Sequence, residues 1–232
     1  MNELERIEAQ SLREAVVLCG GQGEMVGGAM CVRHPRVPWM ELNRAIVLAQ
    51  AVDLDAIASW FHGPHAIATC DDELGRALAS RGYERARSWM KFERDAAPAP
   101  TAATEARIEE TMDATLLGEL VGHAELGAIA GAPGWRCFIA LVDDVPAASG
   151  VLYADGTSAW LGVAFTKEAF RGRGLQSALI AKRIEAARAL GVTLLTSETG
   201  ELVSDHPGSS YRNLRRAGFR EAFLRANWTA PV

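Results

Sequence analysis

Four residues, Arg171-Gly172-Arg173-Gly174, constrain this chain most, because of what stands on either side of them. Before them, Trp160-Leu161-Gly162-Val163-Ala164-Phe165-Thr166 is short and apolar, as a buried strand is. After them, Leu175, Leu179, Ile180, Ile184, Ala187 and Leu190 recur at helical spacing, and Gly191 is a suitable left-handed stop. The order is strand, turn, helix. A helix N-terminus carries unpaired N–H groups and partial positive charge. Glycines let the backbone aim those groups at one point with no Cβ in the way, and arginine forks onto phosphate oxygens. The segment reads as an anion-binding turn, the alternative being an ordinary strand-to-helix turn with two solvated arginines.

The six residues Arg171-Gly172-Arg173-Gly174-Leu175-Gln176 resemble the Arg-x-x-Gly-x-(Gly/Ala) pyrophosphate loop of the GNAT superfamily of acyl-CoA N-acyltransferases. Gln176 stands where a small residue is usual, and Glu168 where the family often has proline. Downstream, Ser210-Tyr211-Arg212-Asn213-Leu214-Arg215-Arg216-Ala217-Gly218-Phe219 is similar to the family's last helix, which ends in Gly-Phe before another strand. The resemblance covers about residues 104–232.

That resemblance implies the GNAT fold, an α/β (α+β) architecture with a mixed, mostly antiparallel sheet flanked by helices. It implies acetyl-CoA as cosubstrate, without a metal, bound where the strand ending near Thr166 splays from the strand ending near Ser197. The backbone of Val163, Ala164, Phe165 and Thr166 would then meet the pantetheine arm, and its N–H groups would polarise the thioester carbonyl. Residues 171–177 would hold the pyrophosphate, with a hydroxyl from Ser177, and Asn213 would hold CoA or cap local backbone. The family often places a tyrosine four residues before the glycine of Gly-Phe, where this chain has Leu214. Tyr211, about one helical turn earlier, either reaches the same space to protonate the departing thiolate or packs. Glu198, expected just past a Val192–Ser197 strand, is the candidate base, acting through a water held by Thr196 and Ser197. Its alternative is a solvated loop carboxylate. His206 is the runner-up, since imidazole is suited to neutral pH, and Glu201 and Asp205 read as loop charges.

Composition narrows the function classes. The 232 residues are 49% hydrophobic and 23% charged, as in a globular protein, and a formal charge of −5 argues against nucleic acid, which demands a basic face. No apolar run approaches the ~18 residues of a membrane span, and Met1-Asn2-Glu3-Leu4-Glu5-Arg6 is too acidic for a signal peptide. Cys19, Cys31, Cys70 and Cys137 are scattered and read as reduced thiols of a cytoplasmic protein. His62-Gly63-Pro64-His65 makes a turn rather than a helix face, with no acidic or thiol partner close by, so it does not read as a metal site.

The expected domains are 1–95 and 104–232, joined by a Pro/Ala-rich linker at 96–103. Ser11–Cys19 fits a helix or a strand, and the glycines from Gly20 to Gly28 read as a flexible loop. Leu78-Ala79-Ser80-Arg81-Gly82-Tyr83 parallels Leu214-Arg215-Arg216-Ala217-Gly218-Phe219, and each precedes a strand containing tryptophan. The N-terminal unit therefore reads as a shrunken GNAT-like copy without the phosphate loop, packed through Ile46, Val47, Leu48, Trp60 and Phe61. The expected activity is transfer of an acetyl group from acetyl-CoA to the primary amine of a small molecule or peptide. A non-catalytic acyl-CoA-binding module is the alternative, and a homodimer is compatible with either.

Overall fold

The computed structural model describes residues 2–202 and 208–231. In chain order the elements are α1 (Glu3–Leu18), β1 (Gln22–Val26), β2 (Ala29–Arg33), β3 (Arg44–Val47), α2 (Leu54–Trp60), β4 (Ala66–Thr69), α3 (Asp72–Ser80), β5 (Glu84–Asp95), β6 (Arg107–Thr111), α4 (Ala114–Val121), β7 (Trp135–Val142), β8 (Val145–Asp155), β9 (Ser158–Thr166), α5 (Leu175–Ala189), β10 (Leu194–Gly200), α6 (Ser209–Arg216) and β11 (Arg220–Thr229). The chain divides into two compact units, Met1–Lys91 with Phe223–Val232, and Phe92–Ala222. Local chemistry explains several helix starts. Asp53, Asp71 and Asp113 each accept backbone N–H bonds at the first turn of α2, α3 and α4.

The division differs from the expected boundary. Residues 96–103 lie wholly within the second unit, and the chain passes between units inside β5 and again inside β11. Pro/Ala composition reports only a lack of bulky apolar side chains. A strand needs backbone partners along its whole length, and nothing obliges both its ends to serve one core.

In the first unit β1 and β2 are antiparallel, β2 and β3 antiparallel, β3 and β4 parallel, and β4 and β11 antiparallel. The glycine-rich stretch expected as a loop is thus mostly a hairpin, turned at Gly27 and Gly28, whose φ values are +54° and +85°. Two successive positive φ angles are what a two-residue hairpin turn requires, and only glycine supplies them freely. The undecided Ser11–Cys19 segment belongs to α1, started by the Asn2 side chain accepting from the Leu4 N–H. Phe61 packs with Leu54, Ile57, Ile67, Leu78 and Tyr83, with Val47 and Trp60 at the margin, so these side chains fill the unit's own core.

A buried charge cluster ties this unit together. The fully buried Glu8 carboxylate on α1 accepts from Arg225 of β11 at 2.6 and 2.7 Å, from Arg44 of β3 at 2.8 Å, and from Lys91 of β5. Burial alone would raise its pKa, but the three cations hold it well below the usual carboxylate range. The ordinary value near 4.3 of the unfolded chain therefore exceeds the folded one. Stability from Glu8 is present above that unfolded value and drains away as pH falls through the depressed folded one. Glu8→Gln removes the carboxylate that Arg44, Lys91 and Arg225 share and is expected to cost about 3–5 kcal/mol, the scale for removing one partner of a buried pair, read by denaturant unfolding at pH 7. The wild-type advantage over this variant should shrink as the pH is taken below about 4.

In the second unit β6, β7, β8 and β9 form antiparallel neighbours, and β9 pairs parallel with β10. Helix α5 connects β9 to β10, as α2 connects β3 to β4. The run antiparallel, antiparallel, parallel thus occurs in both units.

Candidate functional site

Strand β9 outlasts its partner. Its pairing with β10 runs from Ser158↔Leu194 to Leu161↔Ser197, and β9 then continues alone on that side to Thr166. On its other edge the register with β8 shifts: Val151 faces Gly162, whereas Ser149 faces Phe165. Val163 and Ala164 together oppose the single residue Gly150, one residue more than the ladder needs, and Val163 has a φ of +43°. A β-branched residue rarely adopts that angle, and bulges re-aim a strand where a site is built. Gly162 is needed beside the bulge, since a Cβ there would fall 1.7 Å from the Trp160 ring. Ala164 and Phe165 are exposed, and Val163 and Thr166 half-exposed. The splay expected between Thr166 and Ser197 is therefore present as an unpaired edge of β9.

Beyond Thr166 a short 3-10 turn, Glu168–Phe170, leads to the glycine-arginine turn. Gly172 and Gly174 have φ of +80° and +75°, and Gly174 is the N-cap of α5 with no side chain bonded to the first-turn N–H groups. No acidic residue stands in that first turn. The first-turn donors that aspartate satisfies on α2, α3 and α4 have no side-chain cap here, at an end where the helix carries partial positive charge. Arg171, Gly172 and Arg173 are exposed, the Arg173 guanidinium lying 5.4 Å from the Phe170 ring centroid. Leu175 is buried and anchors the helix. Gln176 reaches back: its Nε2 lies 2.8 Å from the Phe165 carbonyl, 3.1 Å from that of Ser149 and 3.0 Å from Thr166 Oγ1. The residue that departs from the family pattern thus braces the end of β9. The end of the expected linker, Ala102 and Ala103, and the three residues after it line a groove of about 740 Å³ with Val142, Arg173 and Leu175, and Thr104 Oγ1 donates to the Arg173 carbonyl at 3.2 Å.

Helix α6 meets α5 through Ser177 Oγ and Asn213 Oδ1, 3.5 Å apart. Tyr211, two residues before Asn213, lies on a different side of α6. It packs edge-on against Phe92, with ring centroids 5.1 Å apart, and its hydroxyl donates to Glu221 at the start of β11. That bond and burial raise its pKa. Leu214 is buried on the same side one turn on. Glu198 is inside β10, not past its end as expected, but it is the first residue beyond the last pair with β9. Thr196 and Ser197, expected to hold a water, are buried, and their hydroxyls donate to the carbonyls of Phe92 and Leu161, both at 2.8 Å. His206 and Asp205 lie outside the described residues. Glu221 and the buried Arg183 of α5 carried no sequence signal, because each acts on a segment distant in the chain. Both ring nitrogens of His65 are engaged, by the Gly63 carbonyl and the Tyr83 hydroxyl. Among the described residues no group of three or more His, Cys, Asp or Glu could hold a metal ion, and no helix is long and apolar enough to cross a membrane.

A bulged strand that runs on past its last pair with β10 here feeds a glycine-arginine turn at a helix N-terminus without a side-chain cap. The family model described as "Acetyltransferase (GNAT) family" matches residues 83–204, more than half of the sequence, and the chain belongs to this family. Membership places it among acyltransferases. No curated protein matches the sequence. Among solved structures, it is similar to a GCN5-related N-acetyltransferase from Kribbella flavida, with TM-score 0.74 and 16% identity over 100% of this chain and 97% of that one. A putative GNAT-family acetyltransferase from Novosphingobium aromaticivorans aligns with TM-score 0.59 and 16% identity over 89% of each chain. A tandem GNAT protein from the clavulanic acid biosynthesis pathway aligns with TM-score 0.57 and 13% identity over 81% of this chain and 74% of that one. These likenesses show a shared mixed α/β fold.

Gly174 offers a test of the turn. A Cβ there would lie 2.6 Å from the Ala103 carbonyl oxygen, at a φ that L residues avoid. Gly174→Ala should lower stability by about 1–2 kcal/mol, the cost of a left-handed angle, in a denaturant titration, with the groove beside Arg173 displaced.

Proposed function

We propose that this protein transfers an acetyl group from acetyl-CoA to a primary amine by direct attack, within residues 92–222. The observation that carries this reading is the free edge of β9 after Leu161, running into the bare N-terminus of α5. A pantetheine arm has amides that pair with such an edge as a strand would, here along Val163, Ala164, Phe165 and Thr166. The pyrophosphate fits the N–H groups of residues 172–177 and the charges of Arg171 and Arg173, with Ser177 and Asn213 beside it. The thioester would then lie near the bulge. The free amine attacks the carbonyl carbon, the oxygen takes up charge against a β9 N–H, the C–S bond breaks as the carbonyl re-forms, and the proton that the nitrogen sheds in becoming an amide passes to the CoA thiolate.

An alkyl ammonium must first lose a proton, since little of it is free base near pH 7. Glu198, where β10 leaves β9, is the carboxylate assigned to that step. Tyr211 serves as thiolate acid only if its hydroxyl leaves Glu221. The first unit repeats the strand directions of the second without an arginine-glycine turn, which supports a shrunken copy that binds no CoA, in keeping with a tandem relative.

Calorimetry with acetyl-CoA should give one site per chain. Arg171→Ala should weaken it about 10-fold or more, the scale of a charged hydrogen bond. No binding by the wild-type protein would overturn the proposal. Binding without thiol release in the presence of a panel of amines would favour the non-catalytic module. Glu198→Gln should lower kcat about 100-fold near pH 7 with CoA affinity nearly unchanged, and recover partly as the pH rises. Wild-type kcat across pH 6 to 9 would remove Glu198 from the mechanism.

A further inference from the structure

Arg183 is fully buried in the middle of α5, among positions that otherwise hold leucine, isoleucine and alanine. Its guanidinium donates through Nε to the Leu179 carbonyl at 3.1 Å, and through Nη1 to the carbonyls of Val151 at 3.2 Å and Gly162 at 3.3 Å. These acceptors are all main-chain oxygens, and no carboxylate shares the site in those bonds. Burying a cation without an anion is costly, and a leucine would fill a helix–sheet contact without that cost. Burial pushes the Arg183 pKa down to about 9, so the group is still charged at pH 7. Gly150 gives it room, since a Cβ there would lie 2.8 Å from Arg183 Cζ. The glycine is the one residue that Val163 and Ala164 oppose at the bulge.

The direction of each peptide along β9 follows from these bonds. Ser197 Oγ donates to the Leu161 carbonyl, so that carbonyl faces β10. The next carbonyl, of Gly162, shares Arg183 Nη1 with Val151, its register partner on β8, so it faces β8. A trans peptide sets the N–H opposite the preceding carbonyl. The Val163 N–H therefore faces the β10 side, beyond the last pair of β9 with β10 among the described residues. A cation on the carbonyl of that peptide also strengthens its N–H as a donor, because hydrogen bonds in series polarise one another.

We infer that Arg183 is a positioning residue for acyl transfer: by holding the Gly162 carbonyl, it fixes and polarises the Val163 N–H as the donor to the thioester oxygen. The inference rests on the proposed use of acetyl-CoA. Arg183 does not touch the substrate. It acts through one peptide group, at the point where Val163 takes its positive φ.

The test uses the full chain, with Arg183→Met, Arg183→Lys and Gly150→Ala compared with wild type. Fold is checked by circular dichroism and thermal unfolding, CoA affinity by calorimetry, and the thioester by the carbon-13 resonance of bound acetyl-CoA labelled at the carbonyl. In the wild-type complex that resonance should move downfield of free acetyl-CoA. In Arg183→Met it should return towards the free position. CoA affinity should stay within about 3-fold, and kcat should drop roughly 10-fold or more, less than the ~10²–10³ for deleting an oxyanion donor outright. Arg183→Lys should restore part of both. If Arg183→Met does not fold, Gly150→Ala, which displaces the guanidinium, is read the same way. A wild-type resonance position and kcat in the folded variant overturns the inference while leaving the acetyl-CoA reading intact. A wild-type protein that binds no acetyl-CoA overturns both.

Discussion

Everything at the candidate site depends on one interruption of a hydrogen-bond ladder. A strand inside a sheet has both edges satisfied, and an unsatisfied edge is costly unless water or a ligand meets it. β9 loses β10 after Leu161, and on its other edge the bulge at Val163 and Ala164 breaks its register with β8. The protein keeps this defect in order from behind. Gln176 bonds the carbonyl of Phe165, Arg183 those of Gly162 and Val151, and Gly150 and Gly162 leave the space that the neighbouring side chains need. The open edge is thus braced by two helix side chains and given room by two glycines.

The same logic governs the anion end. Three helices spend an aspartate on their first N–H groups, and α5 does not. A capped helix is more stable by about 1 kcal/mol, a contribution that α5 goes without, and the proposed pyrophosphate site uses the donors so left. Gly174 also brings the backbone of residue 103 close to the turn, and so gives a structural task to a segment whose composition suggests a loose tether.

The first unit solves a different problem. Its strands β1 to β4 are four or five residues long, and Leu54, Ile57, Phe61, Ile67, Leu78 and Tyr83 form one cluster of its core. The Glu8 cluster adds directional bonds from α1 to β3, β5 and β11. Arg44 also lies 5.3 Å from the centroid of the Trp89 ring. Such a cluster adds little net stability over an apolar core, but it tolerates few alternative arrangements.

By itself the sequence determined the elements whose signals are local. The β9 strand, the glycine-arginine turn and α5 with its stop at Gly191 could be read because periodicity, φ > 0 and helix-end chemistry are properties of neighbouring residues. Tertiary structure decided what depends on partners far along the chain. It put Glu198 inside β10, gave Tyr211 to Glu221 and Phe92, turned the Thr196 and Ser197 hydroxyls onto backbone, and placed Arg183 under the bulge. It also carried the chain between units within two strands rather than at the Pro/Ala segment. A side chain's partner is set by which strand lies beside it and in what register, and a one-residue change in register exchanges the faces. Spacing along one segment carries no record of that.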